Sequence, residues 1–376
     1  MVTGILGTIG HTPLVRLRNI TASTEGQILL KYERINPGGS IKDRSAVYII
    51  NEAERRGLLL PGGTIIESSS GNFGISLAMI SAARGYHAII LVDPKTTSSN
   101  LALLKCFGAE VIVVTEKDDS GSYHKTRIAL ANKLAKEIPN SFRPDQCFNL
   151  LNSEAHYHST AKEIMEDYDE NLAAVVAAVS TGGQLGGISK YIKMSYPSVQ
   201  VIGVDANGSA IFGGDAHSYR IPGIGLSWTP NNLQLDLIDR AYKISDAHAF
   251  ETARAIARYE GVLIGPSSGA CILAALSIVD ELPPEKRIVC VASDGGDRYI
   301  QTMCNDEWMD EQGFSTCVSI SELRKMAKNL CPWSTCPSAV SNYRDDLIDG
   351  LDMPETTRNI NKEIEDSYTA GKKVAI

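Results

Sequence analysis

Short apolar runs and longer helical stretches take turns along most of this chain. Runs of strand length cover residues 27–32, 64–67, 87–92, 110–115, 173–179, 199–204, 262–264 and 287–291. Stretches of helical length lie between them. One begins at Ile41, continues through Val47, Ile49 and Ile50, and ends at Gly57; the others are 75–84 closed by Gly85, 101–107 stopped by Gly108, 185–194, 247–259 and 271–279. Gly10-His11-Thr12-Pro13-Leu14-Val15 reads as an extended entry with a turn. Strands that are continuous apolar runs are buried on both faces, so this alternation predicts α/β architecture with mostly parallel sheet and helices on both sides. No period indicates repeats. The pattern stops near Phe314. The rest, 315–376, holds one amphipathic helix candidate at 321–330 and a polar, acidic stretch with Pro332, Pro337 and Pro354. It is expected to be an appendage that packs on the core or stays mobile.

Composition narrows the class. The 376 residues suffice for one large or two medium domains, and 43% hydrophobic with 21% charged residues describes a soluble globular protein with a sizeable core. A net charge of −8 argues against a nucleic-acid partner. Met1-Val2-Thr3-Gly4-Ile5 lacks a basic region followed by an apolar run, so no signal peptide is expected. No apolar segment approaches the roughly 20 residues that cross a bilayer, so no membrane partner is expected. Cys106, Cys147, Cys271, Cys290, Cys304, Cys317, Cys331 and Cys336 are scattered, which predicts free thiols in a reducing cytoplasm.

The candidate chemistry centres on Asn36-Pro37-Gly38-Gly39-Ser40-Ile41-Lys42-Asp43-Arg44. Pro37, Gly38 and Gly39 make a turn, Ser40 is placed to cap a helix, and Asp43 completes an aspartate version of the capping box. Lys42 then sits in a first helical turn, where the helix dipole opposes its charge. A lysine so placed, and more so if desolvated, has a depressed pKa and acts as an amine nucleophile toward an aldehyde. Seen alone, it reads first as an exposed lysine, since most lysines are solvated.

Three glycine-rich segments follow strands, where open parallel sheets bind ligands. Ser69-Ser70-Gly71-Asn72-Phe73-Gly74 offers hydroxyls and backbone N–H groups suited to a carboxylate, with Asn72 free to donate to a ring oxygen. Ser180-Thr181-Gly182-Gly183-Gln184-Leu185-Gly186-Gly187 suits a phosphate; it is neither a P-loop nor a dinucleotide fingerprint. In Gly265-Pro266-Ser267-Ser268-Gly269 a neutral serine could meet a ring nitrogen without protonating it. Each segment is also what a capped helix start or a tight turn looks like. Weaker candidates are His156-x-His158 and Cys331-x4-Cys336, neither with a second metal-binding motif, so no metal is expected. Arg220, before Ile221-Pro222-Gly223, is a surface residue or an anion contact.

An aldehyde-reactive lysine, a phosphate loop, a carboxylate loop and a ring-nitrogen serine together suit pyridoxal phosphate. In their order, 36–44, 69–74, 180–187 and 265–269 resemble the motifs of the cysteine synthase-like group of fold type II pyridoxal-phosphate enzymes, over roughly residues 4–312. The resemblance implies two open, mostly parallel twisted sheets flanked by helices, as in tryptophan synthase β-like enzymes. It implies a larger cofactor domain of residues 1–45 and 148–314, a smaller mobile domain of 46–147, a C-terminal extension of 315–376, and a homodimer. It makes Lys42 the Schiff-base lysine and Asn72 the partner of the cofactor's 3′-oxygen. Ser180, Thr181, Gly182, Gly183 and Gln184 would hold the phosphate, and Ser267 would meet the pyridine nitrogen. Ser69, Ser70, Gly71 and Phe73 would line the substrate carboxylate. Two departures stand out: the family has threonine where Gln184 and Phe73 stand. Residues 68–74, 92–95, 155–160 and 305–308 look closest to the N-(2-amino-2-carboxyethyl)-L-glutamate synthases of 2,3-diaminopropionate and siderophore biosynthesis. That branch implies a β-replacement on O-phospho-L-serine by L-glutamate, both small amino-acid substrates. The alternatives are cysteine synthesis with sulfide, dehydration, or a binding protein that has lost catalysis.

Overall fold

The computed structural model describes residues 2–24, 26–118, 121–166, 170–333 and 353–369. Cys336 and Pro337 lie outside the described residues. The first part of the chain forms β1 (Leu14–Leu17), β2 (Gln27–Tyr32), α1 (Lys42–Arg55), β3 (Thr64–Ser68), α2 (Asn72–Arg84), β4 (His87–Val92), α3 (Ser98–Cys106), β5 (Glu110–Val113), α4 (His124–Glu137) and β6 (Ser141–Phe142). It continues as α5 (Leu151–His158), α6 (Thr160–Glu166), β7 (Leu172–Ala178), α7 (Gly183–Ser195), β8 (Gln200–Ala206), β9 (Arg240–Ile244), α8 (Asp246–Glu260), α9 (Pro266–Ile278) and β10 (Arg287–Ala292). Three helices follow: α10 (Asp306–Glu311), α11 (Ile320–Lys328) and α12 (Glu355–Thr369).

The strands form two sheets. One has six strands in the order β1-β2-β10-β7-β8-β9, parallel except for the antiparallel edge β1. The other is β5-β4-β3-β6, all parallel. Their apolar runs follow from burial on both faces. In β7, Ala174, Val176 and Ala178 face the core shared with α8 and α9, while Val175 and Ala177 join Leu185, Ile188 and Ile192 of α7. In β3, Ile65 and Ile66 divide in the same way. A period of two sends alternate side chains to opposite faces, and each face here meets a helix.

Several local expectations change. Residues 262–264 form no strand beyond a single bridge between Ile264 and Gly295, because α8 ends and α9 begins within a few residues. The three glycine-rich segments are helix first turns: α2 starts at Asn72, α7 at Gly183 and α9 at Pro266. Small polar residues there hide the apolar period that would have marked the start. The reciprocal box expected between Ser40 and Asp43 is absent. Ser40 Oγ accepts from Lys42 N at 3.3 Å, while the buried Asp43 carboxylate turns to Gly38 N at 2.6 Å and Ser76 Oγ at 2.5 Å.

Behind Lys42, α1 is braced by a buried ion network. Arg44 binds Glu33 at 2.7 Å and Glu163 at 2.6 Å, and Lys31 binds Glu163 at 2.6 Å. Burial opposes these charges, but Arg44 and Lys31 hold Glu163 down at about 2. In the tail, α11 carries the capping box that α1 lacks, from Ser319 and Glu322. Trp333 reaches the edge of the large sheet, pairing with Ala241 and donating from Nε1 to Phe212 O at 2.9 Å. Helix α12, which the apolar pattern does not mark, buries Ile360 and Ile364 in the core beside α1 and α2. Side chains of that size contribute about 1.5–3 kcal/mol each when fully buried.

Candidate active site

The carboxyl ends of β3, β7 and β10 converge on one cavity of about 330 Å³. Lys42 reaches it because its loop is stitched to the end of β10: Ile41 N donates to Ser293 O at 2.8 Å, and Ser40 pairs with Asp294. Desolvation lowers the pKa of the Lys42 amine, against the opposing pull of Cys147 and Asp294. It is thus an amine whose neutral, nucleophilic form is favoured.

Asn72 opens α2 and donates from Nδ2 to Asp294 Oδ2 at 2.7 Å, the oxygen that Tyr299 also donates to at 2.6 Å. The other oxygen, Oδ1, is buried with no partner among the described residues, and burial raises this carboxyl's pKa. Ser69 Oγ accepts from Gly74 N at 3.0 Å and so fastens the first turn of α2. Ser70 Oγ donates to Asp93 at 2.9 Å and accepts from Arg127 Nη1 at 2.6 Å. Gly71 is the extended N-cap residue of α2. Phe73 also lines the cavity, but its ring is 1% exposed and belongs to the core of the smaller sheet.

Across the cavity, Gly182 caps α7 with φ at +83°, a conformation that disfavours any side chain. A Cβ on Gly183 would stand 2.1 Å from Asn152 Oδ1, so only glycine allows the approach. Asn152 Nδ2 donates to Thr181 Oγ1 at 3.1 Å, and Ser180 Oγ donates to Gly225 O at 3.3 Å. Gln184 spends its amide on structure. Nε2 donates to Ala178 O at 2.8 Å and Oε1 accepts from Ser293 Oγ at 3.0 Å, so it ties the ends of β7 and β10 together. The segment 265–269 is not capped by its serines: Gly265 is the N-cap, Pro266 takes the first helical position, and Ser268 Oγ accepts from Ser293 N at 3.1 Å. Ser267 lines the cavity, and its hydroxyl has no protein partner among the described residues.

One expected residue is not brought here. Arg220 is exposed and does not line the cavity. The Asp246 carboxylate at the start of α8 accepts from the backbone N–H of both Arg220 and Ile221, which buries Ile221 and leaves Arg220 in solvent. His156 is buried with Nδ1 at 2.9 Å from Thr160 Oγ1, and His158 lies 3.5 Å from Glu154. No group of three or more metal-ligating side chains occurs among the described residues.

The cavity contains groups that the motifs did not mark: His124 and Arg127 from α4, Gln146 and Cys147 from the chain after β6, and Asp294 after β10. Asp294 was within reach, since it follows a recognisable strand at its carboxyl end. Arg127 and His124 carry no local signal. Burial pushes the His124 imidazole down to about 4, so it is neutral at pH 7, and pushes the Cys147 thiol up to about 12. A larger cavity of about 650 Å³ lies behind α1, but its charged wall is the Arg44–Glu163 pair already described.

A half-buried, desolvated lysine at the carboxyl ends of two mostly parallel sheets, facing a glycine-rich helix N-terminus, fits the class of cofactor enzymes with carbonyl chemistry. The chain matches the family model for pyridoxal-phosphate dependent enzymes over residues 5–294 and belongs to that family, in its cysteine synthase-like, β-replacing branch. It is 42% identical over 299 residues to a probable cysteine synthase of Bacillus subtilis (strain 168), covering 78% of this chain and 94% of that one. It is 38% identical over 308 residues to an N-(2-amino-2-carboxyethyl)-L-glutamate synthase of Cupriavidus metallidurans, covering 81% and 90%. A cystathionine beta-synthase of Apis mellifera is 40% identical over 333 residues, 87% of this chain, which spans only 66% of that protein. The crystal structure of an O-ureido-L-serine synthase superposes with a TM-score of 0.76 at 31% identity, covering 85% of this chain and 98% of that one. The enzyme is therefore pyridoxal-phosphate dependent, with two mostly parallel sheets flanked by helices. No helix among the described residues is long and apolar enough to cross a membrane.

Proposed function

We propose that the enzyme replaces the β-substituent of O-phospho-L-serine with the amino group of L-glutamate, giving N-(2-amino-2-carboxyethyl)-L-glutamate and phosphate. The cavity's residues fit the cofactor. Lys42 offers a desolvated amine to its aldehyde. The Gly182–Gly183 turn, with Ser180, Thr181 and the backbone N–H of Gln184, offers its phosphate a helix N-terminus. Asn72 has a second amide hydrogen for the ring oxygen, and Ser267 a free hydroxyl for the ring nitrogen. Pyridoxal phosphate, when bound, supplies a sink for the electron pair left on the substrate's α-carbon. The Lys42 amine would take the proton from the substrate's α-carbon and later return it. Ser69, Ser70 and Gly71 lie where the first turn of α2 would hold the substrate carboxylate. The cavity is lined from both sheets, by Ser68 to Phe73 on one side and Ala178 to Gln184 on the other, so a small domain of about 46–147 closing on the larger one would exclude water during the reaction.

The observation that carries the choice of substrates is Arg127. Its guanidinium lines the cavity wall, bound to Ser70 and 3.1 Å from Asp93, with donors left over. Sulfide needs no such cation, whereas a phosphoryl leaving group or a second carboxylate does. The name of the Cupriavidus metallidurans relative agrees with this choice, and that of the Bacillus subtilis relative favours sulfide. Incubating the holoenzyme with O-phosphoserine and either glutamate or sulfide, and identifying products by mass, decides between them. Glutamate-dependent phosphate release with the carbon–nitrogen product is expected; cysteine formed from sulfide alone would move the enzyme to cysteine synthesis.

A further inference from the structure

We propose that α12 is a clamp that holds the wall of the active cavity in place, with Asn361 as its positioning residue. The segment it acts on is the crossover 143–150, which leaves β6 of the small sheet and enters α5. That crossover carries Gln146 and Cys147 into the cavity wall. It is held in an uncommon shape: Asp145 has φ at +56° and is fully buried. Its middle is pinned by Asn152 of α5, whose Nδ2 donates to Gln146 O at 2.8 Å, and by Asn232, whose Nδ2 donates to Cys147 O at 3.3 Å.

The second half is pinned by the tail. Asn361 Nδ2 donates to Phe148 O at 2.8 Å, and Asn361 Oδ1 accepts from Leu150 N at 2.9 Å. One side chain thus holds two backbone groups two residues apart, the way a strand partner would. Around it, Met353 packs on Ile128, Cys147 and Phe148, so the tail touches the back of a cavity-lining residue. The helix is anchored on both sides of the crossover. Ile360 and Ile364 enter the core next to α1 and α2, and Arg56 pairs with Glu363. At the other end, Tyr368 donates to the buried Glu154 of α5 at 2.6 Å, and the Lys190 ammonium of α7 sits 3.0 Å above the Tyr368 ring.

A helix with anchors on both sheet units and two hydrogen bonds on the segment joining them fixes the geometry of that joint. Catalytic rates are sensitive to small displacements of cavity groups. The tail therefore contributes to the reaction without lining the cavity itself. The inference rests on this cavity being the active site and is independent of which nucleophile it takes.

The test uses the full-length holoenzyme. Asn361→Ala keeps Ile360, Ile364 and Tyr368, so the helix stays docked; Lys362→Ala, on the exposed face, is the control. Hydrogen exchange resolved to 143–150 should quicken in Asn361→Ala and not in the control. Asn361→Asp, which keeps the oxygen facing Leu150, should protect the Leu150 amide again. With O-phosphoserine as the first substrate, kcat/KM should fall by about tenfold or more in Asn361→Ala, chiefly through KM, while cofactor affinity read from its visible absorption stays the same. If exchange quickens and the kinetic constants are unchanged, the clamp has no part in the reaction and the proposal fails. If exchange over 143–150 is unaltered, Asn361 is not a clamp at all, whatever the substrates prove to be.

Discussion

At the scale of single residues, the site shows side chains engaged in more than one task. Gln184 stands in the loop expected to hold a phosphate but uses both ends of its amide to join two strands. Ser70 belongs to the expected carboxylate loop, yet its hydroxyl also orients Arg127. That arrangement predicts a selective effect. Arg127→Ala should raise KM for the anionic substrate it contacts by about tenfold, with Arg127→Lys recovering part of the loss as a point charge without the fork. Steady-state kinetics with O-phosphoserine and glutamate varied in turn will show which substrate that is. An unchanged KM for both would remove Arg127 from recognition and weaken the choice of glutamate over sulfide. Lys42 was legible from sequence because a turn, a helix start and a lysine are local. Arg127 was not, because its role comes from Ser70 and Asp93, far away in the chain.

At the scale of elements, the helix carrying Lys42 is fixed from behind by charges. Glu163 on α6 binds Arg44 of α1 and Lys31 of β2 in one buried network, joining three elements at a carboxylate. Removing one partner of such a group leaves others buried and unpaired, and costs about 3–5 kcal/mol. Glu163→Gln should therefore lower denaturant stability by about 3 kcal/mol at pH 7. The sign with pH follows from a folded pKa of about 2, below the ordinary glutamate value. The stabilisation is complete above the unfolded pKa and is lost as pH falls through the folded one. The gap between parent and variant should thus close in acid; a gap that stays constant there would show that the Glu163 charge contributes nothing. Helix starts at Asn72, Gly183 and Pro266 lie a few residues before the starts expected from sequence, because these first turns are built of small and polar residues.

At the scale of the whole molecule, three buried carboxyl groups run in the opposite direction. Burial raises Asp43 to about 6 and Glu67 and Asp205 to about 7. Between the ordinary carboxylate range and these values the folded protein keeps protons that the unfolded chain has released. Their contribution to stability therefore falls as pH rises across that window and stays low above it. Asp205, in the large sheet, is the most informative of the three because, unlike Asp43 beside Lys42 and Glu67 beside Ser68, it does not adjoin a cavity-lining residue in the chain. Asp205→Asn should lose part of the decline in Tm between about pH 5 and pH 8. Thermal melts of parent and variant across that range test this, and identical slopes would overturn it. At this scale the tail matters too: α12 bridges both sheet units, and sequence gave it only the status of an appendage.

The chain's own order of residues determined what depends on neighbours along it. Apolar runs with intervening helices dictate mostly parallel sheet covered by helices on both sides, since each run must bury both faces. A lysine after a proline–glycine turn, and glycines after strands, mark residues that the structure gathers around one cavity. The tertiary structure alone decided what depends on distance. It brought Asp294 to Asn72, Arg127 to Ser70 and Asn361 to Phe148 across hundreds of intervening positions or between separate elements. It also turned Arg220 outward. Hydrogen bonds and desolvation act through space, so no local pattern could announce these partners before the two sheets and the tail were packed together.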